Sequence, residues 1–513
     1  MKRFTIKAFS LALIASMGLY LIGCSKNKTQ ESAADASLYG GSATVGITQE
    51  PNCFDPHKVV AAGDREIIFN VFEGLYKFDS KGALNPCLAT DVAVSSDAKT
   101  YEFTIRDGVK FHDGSDLDAG DVVYSLNRAA GLLPDQDGTA LVSTLDAISN
   151  ITSDGNKVKV ELDAPNSELL SYFTVGIIPE GADDIETSMI GTGPFKFDSY
   201  TIGQEVKLVR NDNYWQSDLP YLDSVSFKIC SDLDAGFLEL QNGSIDIFPY
   251  LTTDKTEQLD PNNFTVLSKG SNMVQIFALN NDVEPFNDIR VREAMNYALN
   301  RDDIISLTMD GAGEKLTTGM SPVMGDAYDT SLDGTFDQDI EKAKSLLKDA
   351  GYENGFEMTI TVPSNYLVHV NTGVAIADQL SKVGIKAEIE QVDWATWLSD
   401  TYQGRNYQST IIALTSDYAP YDVLSRYDSE ADGNFINYRN DEFDKIIRAI
   451  PGESDDKAKI DSYHKLLALL TKDAASCYIQ DPYSTCAINN RVTGYELYPM
   501  YVQDMSTVHL ASK

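Results

Sequence analysis

Residues 340–391 read IEKAKSLLKDAGYENGFEMTITVPSNYLVHVNTGVAIADQLSKVGIKAEIEQ. From Ile340 to Ala350 the apolar residues recur at helical spacing, and Gly351 closes the run as a C-terminal cap. Met358–Val362 then reads as a strand, Val374–Val383 returns to helical spacing, and Ile385–Gln391 is a second strand. Helix and strand in alternation point to α/β layers. Upstream, Asp288 is placed to cap a helix carrying Val291, Ala294, Met295, Ala298 and Leu299 on one stripe. Asp118 with Asp121 three residues on resembles a capping box. Residues 43–48, 101–105, 158–162, 206–210 and 225–229 alternate as strands, and Arg65–Tyr76 reads as a helix leading into a strand.

The chain has 513 residues, 43% of them hydrophobic, which is enough for folded cores and for about three domains at roughly 100–200 residues each. Its 77 acidic residues outnumber 41 basic ones, giving a formal net charge of −36. That balance excludes a generic nucleic-acid binder, which needs clustered Lys and Arg against phosphates. With 26 Tyr and 21 Phe, both aromatic core packing and a Tyr-rich binding cleft stay open. Five His leave little room for His-based metal sites or catalytic dyads.

The N-terminus reads as an address. Lys2, Arg3 and Lys7 precede the uncharged apolar stretch Ala8–Ile22, which is shorter than the ~20 residues of a membrane span. It ends in Leu21-Ile22-Gly23-Cys24, which resembles a bacterial lipobox. Residues 1–23 are therefore expected to be a lipoprotein signal peptide, with Cys24 as the lipidated N-terminus and residues 24–39 as a flexible tether. Such a chain would sit on the outer face of the cell membrane, at the cell surface or in a periplasm. Cys53, Cys87, Cys230, Cys477 and Cys486 are odd in number, so at least one cannot pair within the chain, and no zinc spacing occurs.

Motifs of catalysis are missing: there is no His-Glu-x-x-His, no Gly-x-Ser-x-Gly and no phosphate loop. Gly311-Ala312-Gly313-Glu314-Lys315 lacks the spacing of a nucleotide loop and reads as a surface turn. Asp329, Asp333, Asp337 and Asp339 could gather around Ca²⁺, but Asp337 or Asp339 more simply caps the helix that follows. No cofactor or metal is expected.

Several segments, in order, resemble the family 5 extracellular solute-binding proteins of ABC importers, which include oligopeptide- and dipeptide-binding lipoproteins. They are Glu50-Pro51 with Phe54-Asp55-Pro56-His57, then Asn70–Tyr76, then Val109–Gly114 and Asp121–Arg128. Gly191–Phe195, Arg210–Trp215, Leu222–Val225, Gly243–Ile247, Pro285-Phe286 and Val291–Ala298 follow. The resemblance runs from about Ala43 to Tyr498. It implies an α/β fold of the periplasmic-binding-protein type, class II, two-lobed like a flytrap, with an extra third domain. Lobe I is expected at residues 40–66, 191–281 and 486–513, the extra domain at 67–190, and lobe II at 282–485. Two hinge strands should cross near Asn280 and near Cys486. His112 is expected to be a turn or packing residue.

The resemblance also implies a ligand site. Ser416-Asp417-Tyr418-Ala419-Pro420 matches the segment whose Asp takes a peptide's N-terminal ammonium; the bland alternative is a turn cap before Pro420. Trp394 matches a Trp that lines the peptide pocket; alternatively it packs on the sheet, as Trp397 is expected to do. Two departures stand out: Leu414 replaces an aromatic platform, and no Arg lies between Arg405 and Asp417 to grip a peptide carboxylate. The expected function is a substrate-binding lipoprotein that delivers oligopeptides to a membrane permease and its ATPase subunits, working as a monomer. The rivals are the same role for an oligosaccharide, opine or nickel chelate, a lipid-anchored hydrolase, and a passive surface adhesin.

Overall fold

The computed structural model describes residues 38–59, 61–415 and 419–511. Its largest element is a sheet of twelve strands organised about one long strand, Cys477–Asn489. The end of that strand at Tyr483–Asn489 pairs antiparallel with Phe264–Gly270, while Cys477–Gln480 pairs with Met273–Leu279. Two chain segments therefore run side by side from one half of the sheet into the other.

On the edge of Cys477–Asn489 opposite Phe264–Gly270, Ile247–Phe248 pairs with Ala487 and Ile488, and the first half continues from it through Ser42–Ile47, Ser224–Ile229, Glu205–Arg210 and Phe195–Thr201. Ser42–Ile47 is parallel to Ser224–Ile229, with Val45 opposite Phe227. The second half passes from Met273–Leu279 to Ser409–Thr415, then Glu357–Pro363 and Lys386–Val392, the last three mutually parallel. Both faces of this half are covered. Val274, Ile276 and Ala278 enter one core with Tyr478 and Leu467, while Phe277 and Leu279 enter another with Ile360 and Ile376. That double burial explains why Met273–Leu279 is apolar almost throughout instead of alternating. A separate four-stranded antiparallel sheet, Ala89–Val94, Thr100–Ile105, Lys157–Leu162 and Ile148–Asp154, packs on the helix Ala119–Ala129 around its own core. The chain is thus a mixed α/β, periplasmic-binding-protein-like fold of two lobes with an added domain.

Local signals act as their chemistry requires. Asp118 and Asp121 form a reciprocal capping box, Asp288 caps Ile289–Ala298, and Asp339 caps Ile340–Asp349 through the Lys342 amide at 2.9 Å. Gly351 takes φ +92°, the left-handed turn that ends that helix. His112 is a packing residue whose ring meets the Gly193 carbonyl at 3.0 Å. One helix begins earlier than its apolar spacing predicts, at Leu367 rather than Val374, because Tyr366 gives its first turn no side-chain cap to read. The five cysteines from Cys53 to Cys486 are free thiols, and Tyr39 already packs edge-on against Tyr221.

The change of partner along Cys477–Asn489 falls at Asp481–Pro482, opposite Ser271–Asn272. Asn280 and Cys486, near which the passages were expected, lie inside the two halves. The Asn280 amide donates to the Tyr407 carbonyl at 2.9 Å, and Cys486 sits opposite Leu267. The fully buried Asp481 carboxylate ties the passages together. It accepts from the amides of Ser271 at 3.0 Å, Asn272 at 3.1 Å and Met273 at 3.1 Å, and from the hydroxyls of Ser271 at 3.1 Å and Ser321 at 2.5 Å. Removing it strands several buried donors at once. Asp481→Ala is expected to lower stability by about 3–5 kcal/mol and Asp481→Asn by less, read as urea unfolding midpoints.

Candidate functional site

In open α/β sheets, ligands sit in the crevice beyond the carboxyl ends of the parallel strands, where loops diverge. Here those ends are Pro363, Val392 and Thr415. A cavity of about 1060 Å³ lies there, lined by Tyr366, Trp394 and Ala413–Thr415 from the second half and by Tyr501 from the C-terminal segment. A second, of about 530 Å³, is lined by Tyr250, Tyr483, Tyr498 and Met500. Both share Met273, Thr415, Pro482 and Tyr501, so they are adjoining compartments of one cleft against the hinge.

Trp394 is 39% exposed and lines the cleft, whereas Trp397 is 2% exposed and buried in the core. Asp393 sets this turn by accepting from the Thr396 amide at 3.1 Å and its hydroxyl at 2.7 Å. The Trp397 indole N–H donates to Thr410 Oγ1 at 2.9 Å, which fixes that ring beneath the strand ends. Trp394 stacks on it at 5.2 Å between centroids and 13° between planes. The ladder extends outward to Tyr366, edge-on at 5.5 Å, and inward to Tyr402 at 5.8 Å. The outer rings therefore stand on a rigid base.

Asp417 and Tyr418 lie outside the described residues, as does Cys24. The residues flanking the Asp417 segment are placed: Thr415 lines both compartments, and Ala419 leads into the helix Pro420–Ser425. Leu414, where an aromatic platform was missed, also lines the larger cavity. Sequence reasoning did not single out Tyr366, Tyr402, Tyr250, Tyr501 or Arg426. Tyr366 carried a usable signal, since it follows the strand end at Pro363, just as Trp394 follows Val392. Tyr250 and Tyr501 reach the cleft only through long-range packing.

The charges around the cleft are largely engaged. Asp428 is gripped by Arg448 through two bonds of 2.6 Å, and that guanidinium holds its carboxyl below the usual carboxylate range. Asp422 accepts from the Tyr172 hydroxyl at 2.6 Å. Arg426 donates to the Thr415 carbonyl at 3.1 Å, and its buried Nε has no hydrogen-bond partner among the described residues. His369 is buried beside Gln275 at 2.9 Å, and burial pushes its ring down to about 4, so it is neutral at physiological pH. Among the described lining residues, no hydroxyl or thiol is paired with this His, so none forms a nucleophile–base couple. Beside the smaller compartment, burial pushes Glu66 up to about 7, although Tyr250 donates to it at 2.6 Å.

The family model described as bacterial extracellular solute-binding proteins, family 5 middle, matches residues 83–435. Oligopeptide-binding protein AppA of Bacillus subtilis is 27% identical over 536 residues, covering 97% of each chain. The solved structure of DppA from Helicobacter pylori in complex with the peptide STSA is 26% identical, with a TM-score of 0.73, covering 94% of this chain and 100% of that one. AgaA of A. tumefacien R10, solved in complex with agropinic acid, is also 26% identical, with a TM-score of 0.71, covering 92% of this chain and 99% of that one. The chain belongs to family 5 of the bacterial extracellular solute-binding proteins, which serve ABC importers and are not enzymes. Among the described residues no helix is long and apolar enough to cross a membrane.

The Glu66 environment gives a test of the cleft's electrostatics. Because burial raises its folded-state value from 4.5 to about 7, the folded protein keeps a proton that the unfolded chain loses within that window. Stability should therefore fall as pH rises through it, and Glu66→Gln should abolish that component. Relative to the wild type, the variant is expected to gain about 1–3 kcal/mol between the acidic and alkaline ends of the window, measured by denaturant unfolding across pH.

Proposed function

We propose that this solute-binding protein captures oligopeptides in the cleft and presents them to an ABC permease. The observation that carries the reading is the size and placement of the cleft. Its larger compartment, about 1060 Å³, already exceeds the ~300–1,000 Å³ typical of small-molecule sites, and a second compartment adjoins it. An extended chain could lie across the hinge with its side chains against the Tyr and Trp walls. Backbone hydrogen bonding would then give affinity that is largely blind to sequence. The peptide complex of the similar DppA and the oligopeptide-binding name of the similar AppA support this reading.

In this proposal Asp417 takes the N-terminal ammonium, since a desolvated cation requires a charged acceptor. Tyr418 and Trp394 flank the first residues. Lobe I comprises 40–66, 191–271 and 482–513, lobe II comprises 272–481, and 67–190 form the added domain, with crossings moved to the register change at Asp481. The protein acts as a monomer, tethered by a lipid on Cys24. A second reading keeps the transport role but takes an opine-type solute, favoured by the similarity to the agropinic acid binder.

Native mass spectrometry of the chain from Ser25 onward, purified without denaturant, separates the two. A ladder of peptide masses, lost in Asp417→Ala and reduced at least about tenfold in Trp394→Ala, is expected. One non-peptide mass, retained by Asp417→Ala, would replace the peptide with the second reading. For the anchor, Cys24→Ala is expected to move the protein from the detergent phase to the aqueous phase in Triton X-114 partition. An unchanged partition would remove the lipid.

A further inference from the structure

The added domain is tied to lobe I where Glu73 accepts from the hydroxyls of Thr192 at 2.9 Å and Tyr214 at 2.7 Å, and away from the two hinge passages one of its turns also reaches lobe II. Residues 165–172 lead into and form the short helical turn Leu169–Tyr172. Ser167 donates its amide to the Pro451 carbonyl at 2.8 Å and its hydroxyl to the Ile450 carbonyl at 3.1 Å. Glu168, only 7% exposed, accepts from the Tyr463 hydroxyl at 2.8 Å and pairs with Lys459 at 3.1 Å. Tyr172 donates to Asp422 at 2.6 Å. Each partner belongs to the second half of the molecule, and Asp422, with its neighbours Tyr421 and Ser425, also lines the larger cavity.

We propose that this turn is a clasp that governs ligand retention, with Ser167, Glu168 and Tyr172 as positioning residues. The inference rests on the cleft as the solute site and not on the solute being a peptide. Two adjacent hinge strands leave one rotation free, the one that opens and closes the cleft. A contact away from that axis restrains it. The Glu168 cluster suits the task because its parts are satisfied only together: a buried carboxylate that loses Lys459 and Tyr463 must open to water or remain unpaired. Asp422 links the clasp to the ligand, since one residue serves both the cavity wall and the interdomain bond. Stabilising the clasped state slows ligand escape more than it slows encounter, because the barrier to leaving includes undoing the clasp.

The test uses Lys459→Ala, Tyr463→Phe and their combination, with Glu168→Gln as the conservative variant that still accepts from Tyr463. Hydrogen exchange at the Ser167 amide reads the clasp directly, without any ligand. Release of a randomised short-peptide library, followed by native mass spectrometry, reads retention. In the double variant, exchange at Ser167 and the peptide off-rate are each expected to rise about tenfold, with the on-rate within about twofold of wild type. Glu168→Gln should keep most of the protection. Unchanged Ser167 exchange, or faster exchange with an unchanged off-rate, would overturn the clasp. If the wild type retains no peptide, the peptide reading fails, and off-rates of whichever solute co-purifies decide the clasp.

Discussion

One buried carboxylate holds together the two passages that connect the halves of this molecule. Asp481 lies where the Cys477–Asn489 strand changes partner, and it gathers the amides of Ser271, Asn272 and Met273 and the hydroxyls of Ser271 and Ser321. Burial pushes its carboxyl upward, a cost that these donors offset in part. The two passages are thereby locked to each other, although the sheet ladder is interrupted between Gly270 and Met273. Sliding one passage along the other would break the four bonds from Ser271, Asn272 and Met273 together, which opposes that motion.

The site follows from that arrangement. Three parallel strands end facing the hinge, and the turns after two of them place Tyr366 and Trp394 at the mouth of the cleft. The third end leads through residues 416–418. Trp397, held by Thr410, turns Trp394 from a loose surface ring into part of a stacked wall. From the other half, Tyr250 and Tyr501 face the same space. The walls are thus supplied by both halves of the sheet, so that a solute held there would bridge them. Differential contact is the only route by which such a ligand would shift an equilibrium between open and closed states.

Much of the scaffold was legible because its signals are local. Asp118, Asp288 and Asp339 cap the helices their spacing assigns, and the strand and helix alternation across residues 340–391 is the α/β half of the molecule. Trp394 was singled out by family resemblance alone, and the expectation that Trp397 is the core residue of the pair holds in its burial. The place where the pairing partner changes was not legible in the sequence, because Met273–Leu279 and Cys477–Asn489 look like ordinary buried strands. Only their pairing shows that the partner changes at Asp481. Tyr501 and the Glu168 clasp were invisible for the same reason: their partners lie far away along the chain, and nothing next to them in sequence marks the contact.

The central claim is that a peptide lies extended between the lobes, over the Asp481 hinge. The most direct measurement is a crystal structure of the mature chain purified with its resident solute. The account predicts continuous main-chain density running from the Trp394 wall across Pro482 towards Tyr501, with its amino end at Asp417. A compact non-peptide molecule in that space, or a peptide bound elsewhere with the cleft empty, would contradict it.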